Sequence, residues 1–232
     1  MTPAPATVRC DGLAVRLGGH LVLDGVALAL PQRTIAVIGE NGSGKSTFAR
    51  VVAGLVPRTA GTLEVLGVDP DRDAAALRDR TALVLSNPDA QILLPTVAED
   101  VAFSLRPQRL PRSERDARVA ATLDRFGLGD LAGRAAHDLS GGQKQLLALC
   151  GAFVRDPALV VADEPTAYLD ARNARLVADH LLSDAGHRVV LVTHDLALAR
   201  RCDVAVLFAG GRVAGVGTPD DVVAAYERVL AC

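Results

Sequence analysis

Gly39-Glu40-Asn41-Gly42-Ser43-Gly44-Lys45-Ser46-Thr47 is the stretch from which the rest of this chain is read. Ahead of it, residues 34–38 form a short apolar run of the kind that makes a fully buried strand. Behind it, Phe48, Val51, Val52 and Leu55 fall at helical spacing, and Gly54 closes the segment. A strand therefore enters a glycine-rich turn and a helix leaves it, the setting that a G-x-x-x-x-G-K-[ST] phosphate loop requires. Glycines let the backbone wrap an anion without Cβ clashes, so successive N–H groups face phosphate oxygens. The helix start adds its positive dipole end. Lys45 is then a point charge for the β- and γ-phosphates, and the Ser46 hydroxyl is a hard oxygen ligand suited to Mg²⁺. A chance glycine turn has no reason to lie between such a strand and such a helix. The implied ligand is a nucleoside triphosphate.

At 232 residues one domain is the default, and a sizeable core is within reach. The net charge of −2 argues against a polyanion-binding surface, so no nucleic-acid partner is expected. Aromatics are only 3%, which leaves the core to Val, Leu and Ala. Cys10, Cys150, Cys202 and Cys232 form no C-x-x-C pair and read as reduced, buried small hydrophobes. The start, residues 1–6, lacks the basic and apolar regions of a signal peptide. The longest apolar run, residues 146–154, is half a membrane span at best, so the chain is not expected to cross a membrane by itself.

Outward from the loop, residues 8–17 and 21–30 read as strands joined through Gly18-Gly19-His20 as a hairpin. Residues 62–66 read as a strand, 73–80 as a short helix and 81–85 as a buried strand. From 87 to about 134, prolines at 88, 95, 107 and 111 change the texture, and a charged amphipathic helix covers 113–126. This is read as a helical lobe, about 87–155, inserted in a single α/β domain spanning 1–232. The core resumes with strands at 159–162, 189–193 and 204–208, alternating with helices at 171–183 and 196–201. That alternation implies a mostly parallel sheet covered on both faces, preceded by a β-rich N-terminal part. A terminal turn and strand at 210–216 and a helix at 219–230 close the chain.

Two further signals carry chemistry. Ser140, Gly141, Gly142 and Gln143 stand just ahead of an expected helix at 144–154, a second helix start built to receive an anion. A chain with one phosphate loop rarely needs two such cradles for its own nucleotide. Asp163 and Glu164 end a buried strand, where open α/β sheets bind ligands. One carboxylate suits a Mg²⁺ shell and the other a proton from an attacking water. His194 follows another buried strand, within the class of positions that reach a γ-phosphate, although alone it reads as structural. His20, His137, His180 and His187 have no such placement and read as surface or loop residues.

Together, Gly39 to Thr47, Leu139 to Gln143, residues 159–165, Leu169-Asp170 and Thr193-His194-Asp195 resemble, in order, the motif set of ATP-binding cassette (ABC) ATPases. The resemblance covers nearly the whole chain and implies the P-loop ABC ATPase fold. It also implies a head-to-tail dimer, a homodimer or a pairing with a second ATPase, with each ATP between one subunit's phosphate loop and the other's Ser140-Gly141-Gly142. Lys45 and Ser46 would hold phosphates and Mg²⁺, Asp163 the metal, Glu164 the water, and His194 the γ-phosphate. Residues 85–91 and 95–103 are similar to the segment that energy-coupling factor (ECF) importers carry, N-P-D-x-Q followed by P-T-V-x-x-D-V-A-F. That likeness implies a peripheral ATPase on the cytoplasmic face of the membrane. Its partners would be a transmembrane T component and a substrate-binding S component, and its cargo a vitamin or metal ion. The approach Pro31-Gln32-Arg33-Thr34 is similar to the biotin branch, with cobalt and nickel importers beside it.

Two positions depart from the family. Ser86 stands where glutamine usually meets Mg²⁺ and the attacking water. Serine is about two bonds shorter, and a direct hydrogen bond fails beyond roughly 3.2 Å. Either a water bridges from Ser86, Gln91 substitutes as the metal-side amide, or turnover is slow. Leu17 occupies about the place of the aromatic that stacks on adenine. The rival readings are a non-transport ABC ATPase, which usually fuses two cassettes or carries coiled coils, and an ATP-binding regulatory module with little turnover. An ordinary P-loop kinase would have no use for Leu139 to Gln143.

Overall fold

The computed structural model describes residues 6–183 and 186–230, so the extreme N-terminus and Cys232 lie outside the described residues. β1 (Val8–Leu17) and β2 (His20–Leu30) pair antiparallel across Gly18 and Gly19. Both glycines have positive φ, 55° and 83°, as a tight hairpin turn with the right twist demands. β4 (Ala60–Val65) joins the free side of β1, giving a three-stranded antiparallel sheet in the order β2-β1-β4. It begins two residues before the expected strand and stops at Val65, because Leu66 turns into the left-handed region at φ 52°.

The second sheet holds β3 (Thr34–Gly39), β5 (Thr81–Val84), β6 (Leu159–Asp163), β7 (Arg188–Val192), β8 (Val204–Ala209) and β9 (Arg212–Gly217). Its order is β5-β6-β7-β3-β8-β9, parallel throughout except for the β8–β9 hairpin. The strands are apolar at nearly every residue because both faces are covered. Alternation along the pleat divides them: Ile35 and Val37 face one core, Ala36 and Ile38 the other. The first core packs α1 (Lys45–Val52), α2 (Ala74–Arg80) and the small sheet against the central one. Phe48 of α1 meets Phe208 of β8 with ring centroids 5.1 Å apart. Burying each ring is worth about 1.5–3 kcal/mol, which fixes the phosphate-loop helix over the sheet.

On the opposite face lie α5 (Gly141–Phe153), α6 (Ala171–Leu182), α7 (Leu196–Ala199) and α8 (Pro219–Leu230). α3 (Val97–Ser104) and α4 (Arg112–Arg125) pack on α5 through Val101, Leu105, Val119 and Leu123. α3 is more regular than the proline-marked texture suggests. Thr96 caps it, accepting from Glu99 N and donating to Glu99 Oε2 at 2.6 Å.

Three expectations change. α5 begins at Gly141, not Lys144, because Ser140 is its N-cap and Gln143 completes a capping box. His187 is buried, with Nε2 2.9 Å from Leu181 O and its ring edge-on to Phe153 at 4.8 Å. His180 is half-buried 4.2 Å from the Phe126 ring, where burial and Arg125 hold its pKa below the ordinary histidine value. Both had read as surface or loop residues, since single histidines give no periodic signal for the aromatic cluster that encloses them.

Candidate functional site

The site forms where β3, β6 and β7 end together at the C-terminal edge of the parallel sheet. β3 ends at Gly39, whose φ is 142°, and a Cβ there would lie 2.2 Å from the carbonyl oxygen of Phe208. Gly44 is left-handed at φ 102° and brings no side chain to cap α1, so the first amides of the helix stay directed into the loop. Lys45 is buried and arches back, donating from Nζ to Gly39 O and Glu40 O, both at 2.7 Å. Burial pushes its pKa down, against the pull of the Glu164, Asp163 and Glu40 carboxylates. The Ser43 hydroxyl is buried without a hydrogen-bond partner among the described residues. A buried orphan hydroxyl, inward amides and a charged ammonium make a donor-rich cradle fitted to phosphate oxygens.

Across the cradle, Ser46 Oγ donates to Asp163 Oδ1 at 3.0 Å, across 117 residues of sequence. Asp163 ends β6 almost fully buried. A hydroxyl and a carboxylate this close form an all-oxygen pair suited to Mg²⁺. Glu164 follows with φ 52°, and its N–H donates to Val192 O at 2.9 Å. This left-handed turn costs of order 1 kcal/mol and swings the carboxylate out of line with the strand. Glu164 Oε2 is 2.7 Å from His194 Nδ1 and accepts the His194 backbone N–H at 3.3 Å. With a carboxylate as acceptor, the proton belongs on Nδ1 and Nε2 faces outward.

A cleft of about 890 Å³ is lined by Glu40, Asn41, Ser86, Glu164 and His194, among others. Tyr226 of α8 also lines it, its hydroxyl pKa raised by burial and by Glu40. Nothing in the local sequence marked Tyr226, since only the return of α8 over β8 brings it here.

The structure separates other residues from this cleft. Gln91 is a correction: its Oε1 accepts Leu85 N at 2.7 Å and its Nε2 donates to Leu83 O at 2.9 Å. Both ends of the amide are spent on backbone at the C-terminal end of β5, Leu83 within the strand and Leu85 just past it, so Gln91 does not stand in as the metal-side amide. Ser86 itself is in the cleft wall. Ser140, Gly141, Gly142 and Gln143 do not line it. Ser140 Oγ accepts Gln143 N at 3.3 Å and Gln143 Oε1 accepts Ser140 N at 2.9 Å, so the side chains cap α5. Gly142 lets Asn173 close in, since a Cβ would lie 2.5 Å from it, and Asp170 holds Asn173 by two bonds of 2.8 Å. Leu17 is exposed at the end of β1.

The ABC transporter family model matches residues 23–167. A biotin transport ATP-binding protein of Rhizobium etli is 36% identical over 97% of this chain and 99% of that protein. An energy-coupling factor transporter ATP-binding protein of Symbiobacterium thermophilum is 43% identical over 91% of this chain and 76% of its own length. Among solved structures, cbiO1 of Clostridium perfringens, part of the ABC transporter complex cbiONQ, superposes with a TM-score of 0.86. It shares 28% identity, and the match covers 98% of this chain and 94% of that one.

Proposed function

The chain belongs to the ABC transporter family of ATP-binding ATPases, and from that premise we propose that it is the hydrolytic subunit of an ECF-type importer. The observation that carries the reading is the cleft itself. Glu164 and His194 line it together with Gly39, Glu40 and Asn41 of the phosphate loop, and Lys45, Ser46 and Asp163 sit behind that loop at the same sheet edge, while the Ser140 cradle of the same chain lies elsewhere. Two copies arranged head to tail give each ATP one cradle of each kind.

The Gly39–Thr47 loop binds the triphosphate through its amides and Lys45, which neutralises the β- and γ-phosphates. Ser46 and Asp163 would hold Mg²⁺, which when bound shields phosphate charge. Glu164 Oε2 takes a proton from the water that attacks the γ-phosphorus, and ADP leaves. His194 orients that carboxylate through Nδ1–H, and it reaches the γ-phosphate when its ring turns so that an N–H faces a phosphate oxygen. Ser140, Gly141 and Gly142 of the second copy cover the phosphates from the other side, with Gln143 holding that helix start in shape.

The described residues form one ATPase domain whose helical part, 87–155, faces the membrane partners. Leu93 is 65% exposed there, beside a cleft of about 350 Å³ that Phe103 and Pro107 also line. Asp100 pins the Leu93 loop, accepting Leu93 N at 2.7 Å and Leu94 N at 2.9 Å. An apolar rim on a rigid loop suits a short segment of a transmembrane T component, with selectivity left to an S component. Among the described residues no helix is long and apolar enough to cross a membrane, consistent with a peripheral subunit on the cytoplasmic face. Biotin is the favoured cargo, supported by the Rhizobium etli relative and the Pro31–Thr34 approach, and uptake of labelled biotin against nickel or cobalt separates the choices. The mechanism is tested by Glu164→Gln. Mg-ATP should still bind and draw the variant into dimers, while hydrolysis falls about 10²–10⁴-fold. A variant that turns over normally, or that stays monomeric with Mg-ATP and its membrane partner present, overturns the reading.

A further inference from the structure

Gln145 lies in α5, five residues beyond the Ser140 cap, and is 1% exposed on the buried face it shares with Gly142, Ala148, Leu149 and Ala152. A buried amide is costly unless paired. Its Nε2 donates to Leu85 O at 3.1 Å, across 60 residues of sequence. Leu85 immediately precedes Ser86, and its N–H is already held by Gln91. The residue before Ser86 of the cleft wall is thus held on both sides: at its N–H by Gln91 and at its carbonyl by Gln145 of α5. Lys144 adds a bridge to Asp89 at 2.8 Å, but Asp89 is 63% exposed, and such a pair is worth little. Gln145 is the buried link.

We propose that Gln145 is a positioning residue for ATP hydrolysis. Through Leu85 it makes the Ser140-Gly141-Gly142 end of α5 and the Ser86 wall of the Glu164 cleft move as one body. This rests on the head-to-tail reading above, in which α5 serves the neighbour's nucleotide while Ser86 serves its own. Closure of one cradle then sets the water-facing wall of the other site. Gln145 touches no phosphate, so its loss acts on turnover and not on nucleotide affinity. Displacing a water-side group by an ångström is enough to cost about 10²-fold.

The experiment measures kcat, KM for Mg-ATP and Tm for the full chain purified with its membrane partners, as wild type, Gln145→Met, Gln145→Glu and Glu164→Gln. Methionine keeps the volume and removes the donor. Glutamate keeps the shape, but when ionised it sets a negative oxygen against Leu85 O, and when protonated its O–H donates again. Gln145→Met is expected to lose roughly tenfold or more in kcat with KM within about twofold. Gln145→Glu is expected to regain kcat relative to wild type as pH falls between about 8.5 and 5.5, burial having raised its pKa. Wild-type kcat in a folded Gln145→Met overturns the proposal. So does a Gln145→Glu whose deficit is flat with pH, and this second series decides alone if Gln145→Met does not fold. Normal turnover by Glu164→Gln would instead sink the catalytic reading beneath it, leaving the two failures distinguishable.

Discussion

Replacing Gly39 by alanine tests the phosphate loop where the backbone is most tightly constrained. Two costs add at this position. The φ of 142° is a conformation alanine adopts only under strain, of order 1–3 kcal/mol. The new Cβ would also stand 2.2 Å from Phe208 O and 3.1 Å from Ser43 Oγ. The carbonyl belongs to β8, which pairs with β3 from Ile35 to Gly39, so relief requires β3 and β8 to part by about 1 Å. Overpacking of that kind costs about 1–3 kcal/mol more. Gly42→Ala is the internal control, since its φ of 80° carries strain but nothing lies within 4 Å of its Cβ. Thermal unfolding without nucleotide reads the difference directly. At about 2–4 °C per kcal/mol for a chain of this size, Gly39→Ala should melt roughly 4–24 °C below wild type, against about 2–8 °C for Gly42→Ala. Equal losses in the two variants would refute the claim that contact with β8, rather than turn geometry alone, demands glycine at 39.

Ser46→Ala and Asp163→Asn should each keep metal-free ATP binding while weakening the Mg²⁺ dependence of hydrolysis by at least about tenfold, read from a metal titration at saturating ATP. Gln91→Leu should lower stability by about 1–3 kcal/mol in denaturant unfolding, because two polar groups at the end of β5 lose their partner, and should leave the Mg²⁺ requirement unchanged. The buried thiols give a pH signature. Burial lifts Cys10 from 9.0 to about 11, and Cys150 and Cys202 to about 12. The unfolded chain releases these protons first, so it binds fewer protons than the native state and stability falls as pH rises. The contribution is complete below pH 9 and drains away from there toward pH 11–12. Denaturant midpoints across pH 8–11 check this, and all three thiols should resist an alkylating reagent at pH 8 until the protein unfolds.

The parts of the fold that were legible are those that neighbouring residues decide. Glycine spacing, the apolar run ahead of it and the helical spacing behind it define the phosphate loop within about twenty residues. The continuous apolar strands announced a sheet buried on both faces, and the parallel strands form that sheet, with only the antiparallel β9 left half-exposed at its edge. Thr96 with Glu99, and Ser140 with Gln143, are caps that the structure reveals and the sequence reading did not name. α3 was blurred by the prolines around it, and the start of α5 was set too late because glycines read as loop. Gln91 was misplaced for a different reason: an amide says nothing about whether it will bind metal or backbone until β5 is seen to be an edge strand with carbonyl and amide groups to satisfy.

What the sequence determined by itself is a triphosphate cradle on a strand–loop–helix, followed by acidic and histidine residues at strand ends, because each depends on local φ/ψ and on caps a few residues apart. What only the tertiary structure decided is which distant groups meet. Ser46 finds Asp163, Glu164 finds His194, Tyr226 returns to Glu40, and Gln145 reaches Leu85. Those pairings follow from strand order and from helices laid across the sheet, whose side-chain directions no local pattern encodes.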